Sequence, residues 1–146
     1  MTAYYPPVGF HFEVRFLGIG GDNDAQFQEV SGLSAEIGVE ELTVGGENKF
    51  TYRLPTRAKY SNLILKRGML KDSGLIDWFK KAIEEFEFKP VNISVKLLNE
   101  NHQTLTSWDF INAYPVKWAI SDFKALENSL VVETIELSYQ YFTRKN

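Results

Sequence analysis

Apolar and polar side chains alternate along several stretches of the chain. Phe10, Phe12, Val14 and Phe16 fall on one side of an extended segment, with His11, Glu13 and Arg15 on the other. Successive Cβ atoms of a strand point to opposite faces, so this period of two predicts a strand with one buried face. Val91, Ile93, Val95 and Leu97 alternate in the same way with Asn92, Ser94 and Lys96. Thr106, Trp108 and Phe110 share a face after the turn Asn99–Gln103, which predicts a hairpin. Asn112–Trp118 reads as a bend followed by a short strand. In the last predicted strand, Leu130–Phe142, Val131, Ile135, Leu137, Tyr139 and Tyr141 oppose Thr134, Glu136, Ser138 and Gln140. Phe27–Leu33 and Ile37–Val44 are further strand segments, with Gly32 expected at a bulge or bend.

The central stretch Glu47–Gly68 reads as strand, turn, strand. Phe50, Tyr52 and Leu54 would face inward and Lys49, Thr51 and Arg53 outward. Pro55 is expected to end the first strand because it has no N–H for a ladder. Leu63 and Leu65 form the inner face of the second.

Ser73–Phe88 is the one segment with helical spacing. Leu75, Ile76, Phe79, Ala82, Ile83 and Phe86 recur at three- and four-residue intervals and predict an apolar stripe packed on the sheet, flanked by Trp78. Ser73 suits the N-cap and Asp77 the first turn. Glu84, Glu85 and Glu87 oppose the dipole at the helix C-terminus, and a cationic partner surface would account for them. The whole reads as mainly β (α+β): about seven strands, in a barrel or sandwich, with one helix laid across.

With 146 residues the chain fits one domain, expected to span 1–146 with an extended arm at 1–9 and a polar tail at 143–146. Cysteine is absent, which excludes disulfides and thiolate metal sites. A net charge of −3 does not suggest a nucleic-acid binder. No apolar run approaches the length of a membrane span, and MTAYYPPVGF lacks the regions of a signal peptide. Synthesis in the cytoplasm and no membrane insertion are the expectations.

Candidate chemistry is sparse. GIGGDND (18–24) leads to a strand and has no P-loop lysine, and a calcium loop from Asp22 would place Phe27 and Leu33 where Gly and Glu are required. It reads as a hairpin turn. Ser31 lacks the flanking glycines of a nucleophile elbow, and adjacent Glu40 and Glu41 would point to opposite faces of a strand. His11 and His102 lie in different elements without ligand spacing. No catalytic, cofactor or metal residue is expected, and the chain reads as a non-enzyme. The cationic side chains Lys49, Arg53, Arg57, Lys59, Lys66 and Arg67 suggest an assembly surface.

Several segments together resemble the tube proteins of contractile phage tails, and most of all the inner-tube subunits of extracellular contractile injection systems. They are FHFEVRFLG (10–18), FQEVSGL (27–33), ENKFTYRLP (47–55), YSNLILKRG (60–68), WDFINAYPVKW (108–118) and ETIELSY (133–139). The resemblance implies a tail-tube, Hcp-like β-barrel with one flanking helix, forming hexameric rings that stack into a hollow tube inside a contractile sheath. It implies self-association, a sheath protein, baseplate or tube-initiator proteins and a terminal cap as partners, and a cargo of protein effector or DNA. Localisation would be an assembled tail or released particle.

A wet channel needs strands with one polar face. Some of His11, Glu13, Arg15, Asn92, Ser94, Lys96, Thr134, Glu136, Ser138 and Gln140 are therefore expected to face the lumen. Contacts between rings are expected at the arm (Tyr4, Tyr5), at Glu47, Asn48, Lys49, Arg53 and Arg57, and at Arg144 and Lys145. Other readings stay open at this point: an initiator or terminator ring, a type VI-like secreted ring protein, or a monomeric barrel that binds a small ligand.

Overall fold

The alternating segments pair edge to edge. The computed structural model describes residues 10–19, 26–43, 45–46, 51–68, 74–121 and 131–145. Among these are the strands β1 (His11–Phe16), β2 (Gln26–Phe27), β3 (Glu29–Ser31), β4 (Ala35–Leu42), β5 (Tyr52–Tyr60) and β6 (Leu63–Gly68). The helix α1 (Gly74–Glu84) follows, and then β7 (Val91–Leu98), β8 (Thr104–Ile120), β9 (Val132–Ser138) and β10 (Tyr141–Lys145). The expected N-cap Ser73, the arm with Tyr4 and Tyr5, and Glu47, Asn48, Lys49 and Phe50 lie outside the described residues.

The main sheet runs β2-β1-β7-β8-β9-β6-β3, with β10 also on β8. It is not closed into the expected barrel. Its two ends are nevertheless consecutive in sequence, separated by Gln28, whose N–H donates to the Lys66 carbonyl at 2.9 Å. One short stretch thus serves β1 with its first half and β6 with its second. Such splitting makes β2 and β3 out of one expected strand. The expected Leu130–Phe142 strand likewise breaks between Ser138 and Tyr141.

β8 is a single strand of 17 residues where a bend at Asn112–Trp118 was expected. Its first half pairs with β7 and β10, its second with β9. The change of partner coincides with Asn112, at φ +53°. Its N–H donates to Asn92 Oδ1 at 3.1 Å and its side-chain amide to Gln140 Oε1 at 3.0 Å. A bulge can absorb the change of direction while the strand stays extended. The expected polar tail is β10, laid along β8 from Tyr141↔Ile111 to Lys145↔Ser107.

The inward parity is as expected for Val14, Phe16, Ile93, Val95, Phe110, Leu63, Leu65, Ile135 and Leu137, all buried. Each such side chain contributes about 1.5–3 kcal/mol through burial. Against them α1 buries Leu75, Trp78, Phe79 and Ala82. Two expected packing residues are corrected: Ile83 is 61% and Phe86 81% exposed, while Ile76 is half-buried. The helix stops at Glu84, and Phe86 takes a left-handed φ of +52°. The N–H groups of Glu85 and Glu87 both return to the Lys81 carbonyl, and this closure of the last turn terminates the helical spacing. Trp78, expected on the flank, is in the stripe, and its Nε1 donates to the Lys89 carbonyl at 2.8 Å.

Arg67 also departs from expectation. It sits opposite Glu133 across β6 and β9, and both are 2% exposed. Arg67 Nε donates to Glu133 Oε2 at 2.7 Å, Trp118 Nε1 donates to the other carboxylate oxygen at 2.7 Å, and the guanidinium lies 4.9 Å from the Phe27 ring centre. A charge that strand parity turns inward needs such a partner set, so Arg67 belongs to the core and not to an assembly surface.

Candidate assembly surface

Among the described residues β4 and β5 pair only with each other, as a two-stranded ribbon apart from the main sheet. Pro55 does not end β5; it lies within it, opposite Val39, beside an irregularity between Ile37 and Val39. A ribbon of two strands has only edge strands, where proline is tolerated. Tyr52 and Leu54, expected to be buried, are 49% and 45% exposed.

The register gives the ribbon two chemically distinct faces. Directly opposed residues share a face. The extra residue of the irregularity lies in β5, so β4 keeps its alternation, and Ala35↔Tyr60, Ile37↔Ala58, Val39↔Pro55 and Glu41↔Arg53 make one face that is mostly apolar. Glu36↔Lys59, Glu40↔Leu54 and Leu42↔Tyr52 make the other, together with Gly38, where a Cβ would meet the Thr56 hydroxyl. Arg53 lies opposite Glu41, and Arg57 lies at the irregularity, between Pro55 and Ala58. On the first face Ile37 and Val39 are exposed in the single chain, and on the second so are Leu42, Tyr52 and Leu54. An isolated hairpin is marginally stable in water, and an exposed strand edge invites pairing.

The base of the ribbon is well defined. Gly32 has φ +86°, and a Cβ there would run into the Asn62 carbonyl. Ser34 and Ser61 hydroxyls are 2.8 Å apart, and the Tyr139 hydroxyl donates to the Ser61 carbonyl at 2.7 Å. Tyr60, Tyr139, Phe110 and Phe142 form an aromatic cluster beneath it. Burial, and secondarily neighbouring Tyr60, raise the Tyr139 phenol to about 12.

The residues expected to face a lumen divide into two groups. Glu13 lies opposite Lys96 and Arg15 opposite Ser94 on β1 and β7. The stripe continues through Ser94↔Asp109 and Lys96↔Ser107 to Thr143 and Lys145. Within it Arg15 and Glu13 form an ion pair at 2.6 Å, and Lys145 and Asp109 one at 3.1 Å. Asn92 is exposed and bonds Asn112, whereas His11 meets His102. Thr134, Glu136 and Ser138 lie on β9, opposite Lys66, Ile64 and Tyr114 respectively, and Gln140 follows the strand. Glu136 accepts from Asn62 at 2.9 Å. Arg144 belongs to the other parity of β10: it donates to Thr106 Oγ1 at 3.2 Å, and its guanidinium lies 5.9 Å from the Trp108 ring centre.

Glu84 at the end of α1 is exposed, and exposed Glu85, Phe86 and Glu87 follow it. Phe86 packs edge-on to Phe88 at 4.9 Å, and Phe88 to Tyr114 at 5.7 Å. A groove of about 350 Å³ beside α1 is lined by Ile19, Gly74, Trp78 and Phe88 with Asp77, Lys81, Glu87 and Lys89, and no nucleophile–base pair lines it. Among the described residues no group of three His, Asp or Glu could hold a metal, and no helix is long and apolar enough to cross a membrane.

The contact that sequence reasoning missed most completely is the His11–His102 pair, because strand pairing rather than spacing brings it together. The buried Arg67–Glu133 pair was missed for a related reason. Only the register reveals that each charge sits opposite the other, although their inward parity is visible beside Leu65 and Ile135.

Several solved structures share this architecture. A chain in the cryo-EM structure of the anti-feeding prophage baseplate, 6-fold symmetrised, is 30% identical, with a TM-score of 0.81, covering 99% of this chain and 97% of that one. A chain of the sheath–tube complex of an extracellular contractile injection system, in the extended state, is 26% identical with a TM-score of 0.78, covering 97% and 92%. A chain of the anti-feeding prophage tube-terminating cap is 26% identical with a TM-score of 0.79, covering 100% and 95%. Hcp1 from Flavobacterium johnsoniae, at 17% identity and a TM-score of 0.55, shares the fold. No curated protein sequence matches the chain. The family described as T4-like virus tail tube protein gp19 matches residues 8–143. The chain therefore belongs to that family of structural tail-tube proteins.

Proposed function

We propose that the chain is the inner-tube subunit of a contractile injection system. Copies form hexameric rings, and the rings stack head-to-tail into a hollow conduit inside a contractile sheath. The observation that carries this reading is the ribbon: a two-stranded element outside the main sheet, with an apolar face exposed in the single chain. A neighbouring copy supplies the cover, and because such a contact is heterologous it closes into a ring or propagates into a tube. Arg53 and Arg57, both on β5, then meet the next ring.

The stripe across β1, β7, β8 and β10 suits a wet channel wall, since four adjacent strands turn polar residues to one side. The carboxylates Glu84, Glu85 and Glu87 beside Ile83 and Phe86 suit a cationic patch on the sheath. The chain itself does no chemistry in this reading, and its cargo, protein or DNA, passes through the lumen. The particle matures from subunits made in the cytoplasm.

A second reading, a ring at the baseplate or cap, is favoured by likeness to baseplate, cap and terminator chains at TM-scores of 0.81, 0.79 and 0.80. Negative-stain electron microscopy of the purified chain over a range of concentrations separates the two. Open-ended tubes support the inner-tube role, rings that never stack support the terminal role, and monomers at every concentration count against both.

A further inference from the structure

His11 and His102 are 91 positions apart, yet His11 Nε2 lies 3.0 Å from His102 Nδ1. Each is placed independently of the other. His11 is the first residue of β1 and sits in register with Leu98 at the end of β7. His102 is held by the β7–β8 turn, where Asn99 Oδ1 accepts from the N–H groups of Asn101 and Gln103, both at 2.9 Å. The His102 N–H donates to the Asn99 carbonyl at 3.0 Å, and Asn99 Nδ2 to Gln103 Oε1 at 3.0 Å. The turn keeps His102 at φ +61°, a conformation uncommon outside glycine.

The ring geometry shows that the two nitrogens do not meet along a straight line. The ring centres are 4.7 Å apart and the planes are inclined by 72°. In a straight imidazole–imidazole hydrogen bond of this length, each nitrogen stands about 1.15 Å from its ring centre, so the centres would be about 5.3 Å apart. Two nitrogens that converge on one ion at about 2.05 Å subtend about 94° there, which puts the ring centres about 4.7 Å apart. The observed separation matches convergence on an ion and, without an ion, a hydrogen bond bent at one ring.

We propose that His11 and His102 form a two-ligand site for a borderline divalent transition ion. Imidazole suits Cu²⁺, Ni²⁺ and Zn²⁺, and a ligand angle near 90° matches the square-planar or octahedral preference of Cu²⁺ and Ni²⁺ better than tetrahedral Zn²⁺. His11 is half-buried and His102 exposed, so the remaining positions are open to water or to a donor from another molecule. The bound ion clips the start of β1 to the β7–β8 turn.

The test is calorimetric titration of Cu²⁺ and Ni²⁺ into the purified full chain and into His11→Asn, His102→Asn and the double variant. One ion per subunit is expected in the wild type, with affinity reduced at least about tenfold in either single variant, since each leaves one imidazole. Cu²⁺ should raise the thermal midpoint of the wild type and leave that of the double variant unchanged. Identical titrations for the wild type and the double variant would overturn the site. Electron paramagnetic resonance of Cu²⁺ bound to the unmodified chain gives a check that needs no variant: coupling to two nitrogens supports the pair, and coupling to one overturns it.

Discussion

Replacing Glu133 by glutamine removes one charge and almost no volume from a fully enclosed site. In the folded chain Arg67 and Glu133 are each 2% exposed, and the carboxylate takes both the Arg67 Nε and the Trp118 Nε1 hydrogen bonds at 2.7 Å. The substituted amide would still offer one acceptor oxygen, but the guanidinium would lose this counter-charge with no route to water. Removing one partner of a buried ion pair costs about 3–5 kcal/mol. Domains are stable by only about 5–15 kcal/mol, so a large share of the total is at stake. The assay is urea unfolding of dissociated subunits followed by tryptophan fluorescence. With a slope of about 2 kcal/mol/M, the midpoint should fall by about 1.5–2.5 M. Replacing both partners, Arg67→Met with Glu133→Leu, should recover at least about 2 kcal/mol of the loss, because apolar substitutes for buried pairs are often neutral. A midpoint shift below about 0.5 M in Glu133→Gln, or a double variant no better than the single one, would refute the reasoning.

Reversal of either ribbon cation, Arg53→Glu or Arg57→Glu, is expected to shorten tubes without lowering the unfolding midpoint; unchanged tube length in both variants would remove them from the stacking contact. Ile37→Asp, on the apolar face of the ribbon, should leave a folded subunit that stays dissociated at concentrations where the wild type assembles, as read by light scattering. Gly32→Ala should destabilise by about 1–3 kcal/mol in the same urea assay, because a left-handed φ and the Asn62 carbonyl both oppose a Cβ. The Tyr139 phenol, raised to about 12 by burial and by Tyr60, stays neutral in the folded chain where the unfolded chain ionises. Its contribution is therefore complete below about pH 10 and is lost as pH rises toward about 12. Tyr139→Phe should flatten that part of the pH–stability curve.

Local alternation made β1, β7 and β9 legible, because each has one face on the core and a period of two reports that burial directly. The helix was legible through Leu75, Phe79 and Ala82, but its end was not. Phe86 continues the apolar spacing in sequence, and only the left-handed backbone there shows that the helix has already stopped. The ribbon misled for a physical reason. Tyr52 and Leu54 alternate as though one face were buried, and in the single chain that face is exposed. Alternation reports that a face is meant to be covered, not which molecule covers it. Pro55 misled because an edge ribbon tolerates a residue that a central strand does not. Pairings between distant strands, such as Arg67 with Glu133 and His11 with His102, depend on register across the sheet, which no local pattern encodes.

The central claim is that the β4–β5 ribbon completes its packing on another copy of the chain. The most direct measurement is a helical cryo-EM reconstruction of tubes grown from the purified protein. The account predicts that Ile37 and Val39 of every copy lie buried against a neighbour, with Arg53 and Arg57 at the junction between rings. A reconstruction in which the ribbon projects into solvent, or folds back to cover its apolar face within its own subunit, would contradict it.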